Sequence, residues 1–139
     1  MSTLQNLVEI HSHEGIGYSR LFHCRDFRVA MLNYHPELDI ADISNFQQHS
    51  LTDEAFILLK GNCTLFLAED ETLQNIYAVP LEPGKVFNVK QGTYHTHTLS
   101  EDASVLIVEA EDTCDANSPK VMVDDAARAR LIEAYEASK

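Results

Sequence analysis

Two segments of this chain hold residue types that together ligate divalent metals. In "QQHSLTDEAFILLKG" (47–61), His49 lies five residues before Glu54, and Gln47 two residues before His49. In "GKVFNVKQGTYHTHTL" (84–99), His95 and His97 are two apart, just after Gly92. Imidazole nitrogens with a carboxylate oxygen make a donor set suited to a divalent transition metal. An imidazole also titrates near neutrality, so one of these rings can move a proton.

Such chemistry needs elements that aim the side chains at one point. In a strand beginning near Glu54, alternate side chains share a face, so Glu54, Phe56 and Leu58 point together. A carboxylate heading an apolar face is costly to bury unless its charge is compensated. His95 and His97 likewise share a face, with Tyr94, Thr96 and Thr98 on the other. The competing reading is a pocket without metal, in which Glu54 hydrogen-bonds to Gln47 or to a histidine. For His97 the competing role is a core histidine with a satisfied ring.

Short runs bounded by Gly, Pro, Asp or Ser read as strands through most of the chain: "YSRLFHC", "FRVAMLNYH", "NIYAVPL", "KVFNV", "TYHTHTL" and "ASVLIVEA". "EAFILLKGNCTLFLAED" reads as two apolar strands joined in a hairpin at Lys60-Gly61-Asn62. "AFILL" and "VLIV" are apolar on both faces, so a second sheet, a terminal segment or a partner copy must cover them. "DDAARARLIEAYEAS" reads instead as one amphipathic helix with Ala127, Leu131, Ala134 and Tyr135 on one side. The expectation is an all-β sandwich or barrel with a C-terminal helix, in one domain of 139 residues.

The formal net charge of −12 repels phosphate backbones and anionic lipid, which argues against nucleic-acid and membrane partners. No segment reaches the ~20 apolar residues of a membrane span. The opening "MSTLQNLVEIHSHEG" has no basic stretch followed by an apolar run, so no secretory leader is expected. Cys24, Cys63 and Cys114 are odd in number and widely spaced, which fits reduced thiols in a cytoplasm. His11 and His13 sit in a polar, glycine-bounded stretch and read as surface loop.

The two segments together resemble the cupin superfamily. Its first motif appears as Gln47-x-His49-x4-Glu54-x6-Gly61, with Gln47 where the family has a histidine. Its second appears as Gly84-x5-Lys90-x-Gly92-x2-His95-x3-Leu99, with Lys90 and Leu99 in place of the family's proline and asparagine. The resemblance implies a double-stranded β-helix (jelly-roll barrel), with the core barrel over residues 18–112 and the helix over 124–137. It also implies His49, Glu54 and His95 as metal ligands, with Gln47 in the remaining ligand position, for Mn, Fe, Ni, Co or Zn. Glu54 and His97 are then the candidate catalytic groups.

The expected function is a cytoplasmic, divalent-metal-dependent lyase, isomerase or oxygenase acting on a small polar carboxylate or carbohydrate, as a homodimer. One alternative is a non-catalytic small-ligand sensor with a degenerate metal site. "SLTDEAFILL" followed by "QGTYHTHTL" is also similar to the ureidoglycolate lyases, although this chain lacks any Trp. A purely structural module would instead have its barrel filled, with no cavity behind Glu54.

Overall fold

The computed structural model describes residues 6–139. Met1–Gln5, the start of the segment inspected for a leader, lie outside the described residues.

Among the described residues the chain forms ten short strands, the longer ones mostly alternating in burial. They are β1 (Tyr18–Cys24), β2 (Phe27–Asn33), β3 (Asn45–Gln47), β4 (Glu54–Lys60), β5 (Cys63–Ala68), β6 (Ile76–Pro80), β7 (Phe87–Val89), β8 (Tyr94–Leu99), β9 (Ser104–Ala110) and β10 (Lys120–Met122). One sheet runs β1-β2-β9-β4-β7 and the other β10-β3-β8-β5-β6, with every pairing antiparallel. Their inner faces meet in a core built from Ala30 and Leu32, Phe56 and Leu58, and Val105 and Ile107, against Leu65 and Leu99 of the second sheet.

The second sheet is apolar outside as well, and its cover is the helix α1 (Asp125–Ala137). Ala127 and Leu131 are buried on Ile43, Phe46, Phe66, Ala68 and Leu73, and the Tyr135 ring meets Phe66 edge-on at 5.8 Å. The Asp124 carboxylate caps the helix by accepting from the Ala127 N–H at 2.8 Å. Arg130 Nε donates to the Leu73 carbonyl at 2.7 Å and ties the helix to the loop after β5. Among the described residues, the outer face of the first sheet has no such cover within either core cluster. There Val29, Met31, Ile57, Leu106 and Val108 are only half-buried. Among the described residues no helix is long and apolar enough to cross a membrane.

The turn at Lys60-Gly61-Asn62 is not the expected hairpin. β4 pairs with β9 and β7, whereas β5 pairs with β8 and β6, so the turn carries the chain from one sheet to the other. It closes instead on the turn after β8: Asn62 N–H donates to Ser100 Oγ at 2.8 Å, and Ser100 N–H to the Asn62 carbonyl at 2.9 Å. Gly61 allows this with φ of 72°, and a Cβ there would lie 2.5 Å from Ala103 Cα. Also unforeseen were β3 and β10, three residues each, too short to show alternation.

Gly61→Ala should therefore destabilise the protein by at least about 1–3 kcal/mol from left-handed strain alone, with overpacking added. A urea titration measures it, and a change below about half a kcal/mol would show that the turn relaxes freely.

Candidate metal centre

The strand arrangement brings the candidate ligands together from both sheets. Glu54 opens β4 of the first sheet, and β8 of the second carries His95 on its inner face. His49 enters from the loop after β3. Gln47 lies on β3, directly paired with His95. His49, Glu54 and His95 are all buried, and one ligand atom of each lies within 4.8 Å of the others.

Hydrogen bonding fixes which atoms face the centre. His95 Nδ1 is 3.0 Å from the Thr93 carbonyl, and a carbonyl only accepts, so the hydrogen is on Nδ1. Asn117 donates through Nδ2 to the Asp112 carbonyl at 2.9 Å, so its Oδ1 is the acceptor for the Cys114 N–H and the Ser118 hydroxyl. Ser118 Oγ, its own hydrogen spent on Asn117, accepts from His49 Nδ1 at 2.8 Å. Both rings consequently turn Nε2 toward Glu54 Oε1, at 3.1 Å from His49 and 2.8 Å from His95. With both rings neutral and their hydrogens on Nδ1, three acceptors would converge with no hydrogen among them.

Such a cluster requires a positive charge at its centre, either a proton or a cation. Burial works against charge on His49, but the Glu54 hydrogen bond and charge outweigh it and raise its pKa. Burial likewise opposes charge on Glu54, and hydrogen bonds from His49 and His95 outweigh it, holding this carboxyl well below the usual range. A divalent cation fits the same donors: two Nε2 atoms and one carboxylate, with each ring's far nitrogen anchored, as metal-binding imidazoles usually are.

Spacing alone did not reveal the groups around this cluster. Glu109 on β9 is paired with Glu54 across the strands, so both carboxyls enter the same space. Burial, then contact with Glu54, raises the Glu109 pKa to about 7, against the pull of Arg28 and Tyr18. Arg28 donates to Glu109 Oε1 from Nε at 3.0 Å and Nη2 at 2.7 Å, and the Tyr18 hydroxyl donates to the same oxygen at 2.9 Å. The signal was parity: Arg28 alternates with Ala30 and Leu32, and Glu109 with Val105 and Ile107.

A cavity of about 350 Å³ opens beside the cluster, lined also by Tyr18, Arg28, Gln47, His97, Thr113 and Ser118. This is at odds with a filled, purely structural barrel. Gln47 Nε2 makes a long contact of 3.4 Å to the Ser118 carbonyl. His97 lies edge-on to Phe56 at 5.8 Å, and its Nδ1 is buried without a partner. Burial, then the neighbouring His95, pushes its pKa down to about 4, so the ring is neutral rather than poised near neutrality. His11 and His13 stand apart from the cluster: His11 pairs with Glu9 at 2.9 Å and His13 with the Gly17 carbonyl at 3.0 Å.

No family model and no curated protein matches this chain. Solved structures do. A cupin-2 domain protein from Shewanella frigidimarina aligns with TM-score 0.50 and 16% identity, covering 78% of this chain and 89% of that one. The QdtA 3,4-ketoisomerase from Thermoanaerobacterium thermosaccharolyticum, a double mutant in complex with TDP, aligns at 0.54 and 16%, over 66% and 64%. A variant of Streptomyces Pac13 with uridine, described elsewhere as a nucleoside dehydratase, aligns at 0.56 and 9%, over 83% and 91%. At such identities the likeness concerns the fold. Two antiparallel sheets closing around an inward-facing cluster, with one C-terminal helix outside, give this chain the cupin fold.

Proposed function

We propose that the chain is one cupin domain that binds a divalent transition metal through His49, Glu54 and His95 and acts as an enzyme on a small polar substrate. The observation that carries this reading is the convergence of two imidazole Nε2 atoms on a buried carboxylate oxygen. A bound divalent ion supplies Lewis acidity toward a substrate oxygen. The cavity volume suits a small molecule. Arg28, with its Nη1 on the Glu111 carbonyl and two further donors on Glu109, is engaged by the protein itself. His97, neutral and with an unpartnered Nδ1, serves as a hydrogen-bonding group for a substrate hydroxyl or carbonyl.

Lyase or isomerase chemistry on a carboxylate or carbohydrate suits this set, and a sugar-like substrate is favoured by the TDP and uridine ligands of the ketoisomerase and Pac13 structures. One feature favours a non-catalytic binder instead: Gln47 offers a neutral amide where the motif has an imidazole. The cellular setting is cytoplasmic, in keeping with three free cysteines. The half-buried outer face of the first sheet is the surface for a homodimer.

The chelator-treated protein should take up one Mn²⁺, Fe²⁺, Co²⁺, Ni²⁺ or Zn²⁺ per chain in calorimetry, with release of protons. His49→Ala and His95→Ala should each abolish uptake, and His11→Ala should not. A wild-type protein that rejects all five ions defeats the reading, and uptake by the His95 variant shows that the site lies elsewhere.

The His97 ring stays neutral in the folded protein down to about pH 4, while an exposed imidazole takes a proton near 6.5. The unfolded chain therefore binds more protons between these values, and stability falls as pH drops through them. This contributes a loss of up to about 3 kcal/mol in metal-free protein. His97→Asn should flatten that part of the profile in urea titrations. Identical profiles would show that the ring is solvated.

Sedimentation should give a dimer, and Val108→Glu at the centre of the uncovered face should give a monomer. A monomeric wild type at micromolar concentration removes the dimer.

A further inference from the structure

We infer that Glu109 is a fourth protein donor to the metal, in the role that the cupin motif gives to a histidine at position 47. The inference rests on metal binding as proposed above and adds to it a residue outside both motif segments.

Register is the first argument. Glu54 and Glu109 are directly opposed on neighbouring strands, and β9 turns Val105, Ile107 and Glu109 inward together. Like charges in opposed positions repel, so two buried carboxyls placed this way are relieved only by a proton or a cation between or beside them. Arg28 compensates only one side of Glu109.

The division of labour between its oxygens is the second. Oε1 takes all three donors, from Tyr18 Oη and from Arg28 Nε and Nη2. Oε2 accepts no hydrogen bond from a described residue and lies 3.9 Å from His49 Nε2. The Glu109 carboxyl is also close enough to Glu54 for each to shift the other's ionisation. A carboxylate gripped at one oxygen, with the other left facing His49, is oriented for monodentate binding. Gln47, by contrast, has its amide nitrogen near the Ser118 carbonyl and brings no charge.

Charge balance is the third. Counting Arg28, a divalent ion held by two imidazoles and Glu54 leaves two uncompensated positive charges in the buried site, and Glu109 removes one of them. A set of two imidazoles and two carboxylates is harder than three imidazoles and one carboxylate. It suits Mn²⁺ or Fe²⁺ in particular.

The test is a Mn²⁺ titration of the chelator-treated full chain, with free Mn²⁺ read by electron paramagnetic resonance. Glu109→Gln should weaken binding by about a hundredfold, and Gln47→Ala by no more than about tenfold. Since Glu109→Gln also strips Arg28 of its partner, a Mn²⁺-soaked crystal of the wild type gives an independent answer. Glu109 Oε2 should be bonded to the ion at about 2.2 Å. Failure of the wild type to bind Mn²⁺ or any other divalent ion would overturn both this inference and the proposed function. Binding by the wild type with an unchanged Glu109→Gln affinity, or an ion bonded to Gln47 and not to Glu109, overturns the role of Glu109 alone.

Discussion

Two carboxylates face each other across adjacent strands inside this barrel, and the surrounding polar structure compensates them. Glu54 and Glu109 are both buried, at 6% and 5% exposure, in a position where water screens their repulsion less than it would at the surface. Burying even one ionised carboxyl without partners costs several kcal/mol, and two in register cost more. The chain meets this with two sets of partners. Arg28 and Tyr18 hold Glu109 from β2 and β1 of the same sheet, while His95 and His49 hold Glu54 from the opposite side. Any one of these partners removed alone would leave a charge or a lone pair stranded.

This arrangement explains why the site needs two sheets. The carboxylates and the arginine come from β2, β4 and β9, which are hydrogen-bonded neighbours and fix those groups through backbone register. The imidazoles come from β8 and the loop after β3, so their distance from the carboxylates depends on how the inner faces pack. Phe56 sets part of that spacing: it is fully buried and lies edge-on to both His95 and His97, at 6.0 and 5.8 Å. The segment before β10 then reaches across with Asn117 and Ser118 to set the tautomer of His49. A site whose ligands are oriented by a turn some seventy residues downstream depends on the whole barrel being closed.

Parity and motif spacing carried much of this in the sequence. Alternation placed Glu54 on the face of Phe56 and Leu58, and put His95 and His97 together. The amphipathic pattern from Asp124 placed Ala127 and Leu131 against the sheet. Parity would also have placed Arg28 and Glu109 inside, but charged residues at strand positions look solvated until their partner is known. The partners lie 81 residues apart in sequence. The Gly61 turn was misread for a related reason. A glycine–asparagine turn between apolar runs is equally compatible with a hairpin and with a corner between sheets, and only the pairing of β5 with β8 decides. Ser118 had no local signal at all, because its role consists of a hydrogen passed on to Asn117.

Gln47 is best understood through the same charge balance. On β3, paired with His95, it occupies a place from which an imidazole would add a neutral donor, and an amide adds a weaker one. Neither changes the net charge of the cluster. The electrostatic problem at this centre is an excess of buried negative groups, which a third imidazole would not relieve except by carrying a proton. A chain with a second carboxylate in the site therefore loses little by having glutamine at position 47. The residue that most distinguishes this centre from the motif it resembles lies on β9, outside both motif segments.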